Sequence, residues 1–113
     1  FQEELEQEET SLYDTVRTAQ ESVDVLLSDV ETLSAYLEEK DYDADVQEEV
    51  TALLEEIKQK QNEYNEQIDS LVLDIYDNEE GVSDVVTGFH DNVTASVETA
   101  YGQIDALGFE ASS

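Results

Sequence analysis

Between Leu12 and Leu37 an apolar stripe runs through Leu12, Val16, Ala19, Val23, Leu26, Val30, Leu33 and Leu37, separated by alternating steps of four and three. That alternation keeps every one of them on a single face of a helix. With Val16 at heptad position a, the a positions are Val16, Val23, Val30 and Leu37, and the d positions Leu12, Ala19, Leu26 and Leu33. Val at a with Leu at d is the choice of parallel two-stranded coiled coils. Tyr13 and Leu27 at e and Tyr36 at g widen the stripe, which is the mark of a bundle helix. The pattern predicts a bundle helix over about 12–39, with Leu26 and Leu33 as central core residues and 1–11 as its acidic N-terminal extension.

A second stripe runs through Val46, Val50, Leu53, Ile57, Gln61, Tyr64, Ile68, Leu71 and Ile75. Its extra four-residue step is a stutter, and Gln61 places a polar layer in the seam. Asp45-Val46-Gln47-Glu48 matches a capping box, with Asp45 capping the helix start and Glu48 reaching back. The expected helix covers about 46–76. A third stripe, Val82, Val86, Phe89, Val93, Val97, Ala100, Ile104 and Leu107, predicts a helix over about 82–107. It is rich in β-branched residues and holds Gly88 and Gly102, so it depends on packing more than on propensity. Between them, Asp77 to Glu80 offers a second capping box before Gly81; residues 77–81 are either a turn or a kink in one continuous helix.

Three helices of similar length with short connections suit an all-α, elongated, up-down-up three-helix bundle. The single domain covers 12–107, and residues 108–113 are expected to fray.

Charge changes the picture. Lys and Arg total 4 against 31 Asp and Glu, a net charge of −27, spread along the chain rather than held in a tail. Such charges oppose compaction in dilute buffer, and at molar salt the screening length falls to about 3 Å. A disordered acidic segment lacks apolar residues, whereas this chain is 39% hydrophobic. The combination points to a folded halophilic protein with an acidic surface. The chain opens on Phe and contains no Met, which reads as a processed product, an excised domain or part of something longer.

Candidate chemistry is sparse. There is no Cys, which excludes thiolate sites and disulfides, and His90 is the only histidine, best explained as a surface or interface residue. Asp41-x-Asp43-x-Asp45 suggests a calcium loop, but the glycine and glutamate such a loop needs at its sixth and twelfth positions are replaced by Val46 and Ala52. The stretch reads as a helix-connecting turn in which Asp41 and Asp43 are dispensable. Catalytic, cofactor and metal sites are therefore not expected, nor is enzymatic activity. The six tyrosines are expected at the edge of the core, rings packed and hydroxyls toward water. The net charge opposes direct nucleic-acid binding, which needs basic residues. No apolar run approaches the ~20 residues of a membrane span. Asn92-Val93-Thr94 matches the N-glycosylation acceptor pattern but lies within a predicted helix. Its use would make the protein extracytoplasmic or virion-associated; otherwise the cytoplasm of a salt-accumulating cell fits.

The remaining signal is apolar surface beyond the seams. Val25, Leu27 and Tyr36 on the first helix and Leu54, Val72 and Leu73 on the second form a candidate interaction surface, since uncovered apolar patches mark binding sites. The expected function is a non-enzymatic structural or assembly module of a halophilic organism or its virus, acting as a homo-oligomer or through a helical protein partner. The alternative is the helical ectodomain or linker of a sensory receptor. In charge and length alone the chain also resembles phage antirestriction proteins, which would make it an acidic DNA mimic. Its helical layout resembles phosphate-transport regulators with E-x-x-x-D metal motifs, but the nearest place reads Gln61-x-x-x-Asn65, and no ligand set carries over.

Overall fold

The structure, a computed structural model, describes residues 2–108, with side chains described from Gln7 onward. Three helices follow one another: α1 (Gln2–Glu39), α2 (Ala44–Tyr76) and α3 (Val82–Ala106). They form an up-down-up bundle measuring 60 × 24 × 19 Å. The acidic N-terminal extension is helical from Gln2 onward and continues α1 without a break. Of the segment expected to fray, only Gly108 lies within the described residues.

All three stripes contribute to the core. Val16, Ala19, Val23, Leu26, Val30 and Leu37 of α1 are buried. So are Val50, Leu53, Ile57, Tyr64, Ile68, Leu71 and Ile75 of α2, and Val82, Val86, Phe89, Val93, Ala100 and Ile104 of α3. The core divides in two along the bundle. One cluster centres on Phe89, whose ring meets Tyr64 edge-on at 5.8 Å between centroids. The other packs Val30, Leu37, Val50 and Ile104 together, and Val97 touches both. No polar or charged side chain is buried among the described residues.

Leu33 departs from its expected central place and is only half-buried. Its side chain packs on the edge of the cluster around Val30 and Val50, whereas Leu37, one turn further along, is fully buried. Leu12 is half-buried at the opposite end, on the edge of the cluster around Phe89.

The polar layer also moves outward. Gln61 is partly exposed and donates from Nε2 to Asp24 Oδ1 at 2.8 Å, while Gln20 donates to Asn65 Oδ1 at 3.3 Å. These two rungs line one side of the α1–α2 seam instead of interrupting it.

The connections are true turns. Residues 77–81 separate α2 from α3 and do not kink one long helix. The Glu79 amide bonds Asp74 O and the Asn78 amide bonds Ile75 O, both at 3.0 Å. This is a Schellman closure with Asn78 in the left-handed region at φ 54. Asp77 is the C-cap of α2 and not an N-cap, so the second expected capping box is absent; Gly81, at φ 79, starts α3 without a side-chain cap. A residue with a Cβ would be strained there.

Burial sets the expected mutational response. Leu26→Ala should cost about 2–5 kcal/mol, as large-to-small changes in closed cores do. Leu33→Ala should cost clearly less, because its site already opens to solvent. Denaturant midpoints of the two variants, measured in the same salt, check the order.

Candidate interaction surface

The alternating acids of residues 41–45 each have a structural post. The Tyr42 amide bonds Leu37 O at 3.0 Å and the Asp41 amide bonds Glu38 O at 3.2 Å. These are the two bonds of a Schellman closure, with Asp41 as its left-handed residue at φ 50. Asp43 is the N-cap of α2, its Oδ1 accepting from the Asp45 amide at 2.8 Å. Helix α2 thus starts at Ala44, two residues before the expected 46, and Asp43 performs the capping expected of Asp45. Asp45 sits in the first turn, where a negative charge favours the helix dipole. Among the described residues no group of three His, Asp or Glu is arranged to hold a metal ion.

The six residues singled out for interaction do not share one patch. Val25 (56% exposed) and Tyr36 (48%) lie four before and seven after Asp29, which bonds Tyr101 of α3. At about 100° per residue they therefore line the α3-facing flank of α1. Leu27 and Leu54 are half-buried against the core cluster around Val30 and Val50. Leu27 is seven residues after Gln20, and Leu54 seven before Gln61, so both face the α1–α2 seam that those glutamines bridge. Val72, seven after Asn65, is on the same side near the far end and is exposed. Leu73, 63% exposed, stands away from both neighbouring helices.

Two further residues belong with them. Tyr76 is 75% exposed at the end of α2 and Val85 is 56% exposed at the start of α3. Tyr76 could be read from the sequence only as the edge of a core stripe. Val85 adjoins the buried Val86, and step counting alone does not say which of two adjacent valines turns inward.

Three tyrosines use their hydroxyls inside the protein rather than toward water. Tyr64 donates to Ser96 Oγ at 2.9 Å, Tyr13 to Glu9 Oε1 at 3.3 Å and Tyr101 to Asp29 Oδ2 at 2.7 Å. Partial burial, then the Asp29 hydrogen bond and charge, push Tyr101 up from 10.0 to about 12. Tyr13 is raised in the same direction by desolvation and by Glu9. His90 is half-exposed with Nδ1 3.7 Å from Asp91 Oδ1. Asn92 is exposed in the middle of α3 and Thr94 half-buried, so the sequon lies within a helix and not on a loop.

Concavities are of two kinds. The cleft between α2 and α3 beside Ile57, Lys60, Tyr64, Ser96 and Ala100 holds about 40 Å³, far below the roughly 300 Å³ where small-molecule sites begin. Larger hollows are open. One, of about 450 Å³, lies at the end of the bundle among Glu8, Glu9, Glu79, Glu80 and Asp84. The other, of about 390 Å³, continues the α2–α3 groove past Ala52, Leu53, Ala106 and Leu107. No helix among the described residues is long and apolar enough to cross a membrane.

Comparison of the chain with protein families, with curated proteins and with solved structures returns no match.

Two measurements follow. Asp43→Ala should cost about 1 kcal/mol, the usual worth of an N-cap, whereas Asp41→Gly should be neutral or stabilising because Gly adopts positive φ freely. Calcium should shift neither midpoint beyond a control of matched ionic strength. For Tyr101, a proton held more tightly in the folded state contributes stability that is complete below pH 10. That contribution is lost as pH rises from 10 through about 12. Tyr101→Phe should lower stability by about 1 kcal/mol at neutral pH, and the gap to wild type should close across that alkaline window.

Proposed function

We propose that this chain is a non-enzymatic helical assembly module working in concentrated salt, where it associates with copies of itself or docks another helical protein. The observation that carries the reading is the pairing of a wholly apolar interior with large apolar side chains left uncovered. Val25, Tyr36, Val72, Leu73, Tyr76 and Val85 all remain exposed on a chain whose net charge is −27. Exposed apolar area is what association covers.

Salt enters through the charge ledger. The 31 acids face only 4 Lys and Arg, and the Lys and Arg ion pairs among the described residues are Arg17–Asp14 and Lys60–Glu56. Both are exposed, each links neighbouring turns of one helix, and such pairs contribute only a few tenths of a kcal/mol. No helix has a basic residue in its last turn to offset its dipole. What opposes the mutual repulsion is therefore chiefly the screening supplied by the solvent.

Helicity followed by circular dichroism should rise between low ionic strength and about 2 M KCl, with the melting temperature rising alongside. Sedimentation equilibrium in that salt should give a mass above the 12.7 kDa of one chain, or a helical partner should be captured. A melting temperature independent of salt would remove the halophilic part of the proposal. A chain that stays monomeric at high concentration and captures no partner would remove the assembly part.

A further inference from the structure

We infer that the groove between α2 and α3 is a docking site for a basic amphipathic helix of another protein, a reading that rests on the assembly proposal above and names its partner. Helices α2 and α3 touch each other less than either touches α1, so the bundle is open along this side. The hydrogen bond from Tyr64 to Ser96, 2.9 Å long, ties the two helices together at one point. From there the groove widens, from about 40 Å³ beside Tyr64 and Ala100 to about 390 Å³ at Ala106 and Leu107. Ser96 to Leu107 spans about 16 Å of helix, roughly three turns.

The floor is apolar and the two walls differ. Leu53 is buried and Leu107 half-buried, with Ala52 and Ala106 exposed above them. On α2, Glu49, Ala52 and Glu56 stand at steps of three and four and share the flank that faces the groove, so both acids line it. Glu49 has no ion pair among the described residues, and Glu56 is held only loosely, by Lys60 at 3.8 Å. On α3, Ser96, Thr99 and Gln103 stand at the same steps along the opposite wall. That wall is uncharged. The acids Glu98 and Asp105 share their flank of α3 with Tyr101, which bonds Asp29 of α1, and so lie away from the groove.

The complement of this groove is a helix with an apolar stripe for the floor, basic residues along the edge that meets α2, and small neutral residues along the edge that meets α3. Arginine suits the acid wall, because its fork bonds a carboxylate through two parallel hydrogen bonds. A second copy of the chain does not supply such a helix. Its 4 Lys and Arg are outnumbered by 31 acids. Arg17 stands alone on α1, Lys40 lies in a turn, and Lys58 and Lys60 point to nearly opposite faces of α2.

Salt sharpens the choice of partner. With a screening length of about 3 Å in molar salt, the diffuse attraction of a −27 chain for any polycation is lost. Apolar burial persists there, as do pairs of opposite charge in direct contact. Binding in concentrated salt therefore selects a helix that fills the groove and meets its acids.

The test uses the full chain in about 2 M KCl and a labelled synthetic peptide of roughly 18 residues, about five helical turns. The peptide has a Leu stripe edged by Arg on one side and Ala on the other. One comparison peptide scrambles the order, and a second has Gln in place of each Arg. Fluorescence anisotropy should show the first peptide binding at least about tenfold more tightly than either comparison. Ala52→Gln/Ala106→Gln fills the groove from two exposed positions and should raise the Kd about tenfold, as blocking the centre of an interface does. Glu49→Gln/Glu56→Gln should raise it about fivefold. The control Glu48→Gln/Glu55→Gln removes the same charge from the outer face of α2 and should change Kd less than about twofold. Circular dichroism should show all three variants as helical as wild type.

A peptide that binds wild type and both groove variants equally overturns the docking site and leaves the assembly reading standing. If the Gln peptide binds as well as the Arg peptide, the basic character of the partner is overturned. A dimer found by sedimentation equilibrium in this salt, and dissociated by Ala52→Gln/Ala106→Gln, puts a second copy in the groove; that also overturns the proposal and leaves assembly standing. A chain that stays monomeric and binds no helix overturns both.

Discussion

The apolar seam of α1 is the contact on which everything else depends. It faces α2 on one flank and α3 on the other, and those two helices share much less contact with each other. Val16, Val23, Val30 and Leu37 at one heptad position, with Ala19 and Leu26 at the other, are all buried. In a chain of net charge −27, this strip supplies the attraction between helices, while the ions of the solvent screen the repulsion. The hydrophobic term is insensitive to charge and if anything strengthened by salts that are excluded from the surface. The polar interactions that cross between helices, Tyr101 with Asp29, Tyr64 with Ser96, Gln61 with Asp24 and Gln20 with Asn65, decorate the edges of the seam. They set orientation rather than carry the fold.

The same constraint shapes the surface. Every described carboxylate is solvated or only part-buried, because burying one without a cation costs more than this sparse core could offset. With so few cations available, acids find roles in backbone chemistry. Asp43 caps α2, Asp41 closes α1, and Asp45 sits at the positive end of α2. A stretch that looks like a ligand set is in this way consumed by two helix ends separated by four residues, 40–43. The dense acid pattern between α1 and α2 is a consequence of a short turn in an acidic protein.

An open side between α2 and α3 follows from making α1 the hub. Three slender helices cannot each be enclosed by the other two, and the helix with the weakest intrinsic propensity, α3, is left with one face on the core and one on solvent. Its solvent side carries both exposed small residues and the exposed acids Asp84, Asp91, Glu98 and Asp105.

The sequence by itself determined the helical stripes and most of the residues that meet in the core, because steps of threes and fours sustained over 25 residues or more keep their apolar positions on one helix face; that residues 77–81 are a turn and not a kink was decided by the tertiary structure. The seam residues of α1 from Val16 to Val30 needed no tertiary information. The ends of the helices did. Asp43 and Asp45 are both good caps, and the choice between them fell to Asp43, two residues earlier, which directly follows the left-handed turn at Asp41. Leu33 matches Leu26 in heptad position but not in burial, since a heptad position fixes a face of the helix and not how completely its neighbours cover it. The candidate surface was legible as surplus apolar residues. Their division between the α3-facing flank of α1, the α1–α2 seam and the outer face of α2 was not, because a linear pattern says which face of a helix is apolar and only packing says which neighbour that face meets.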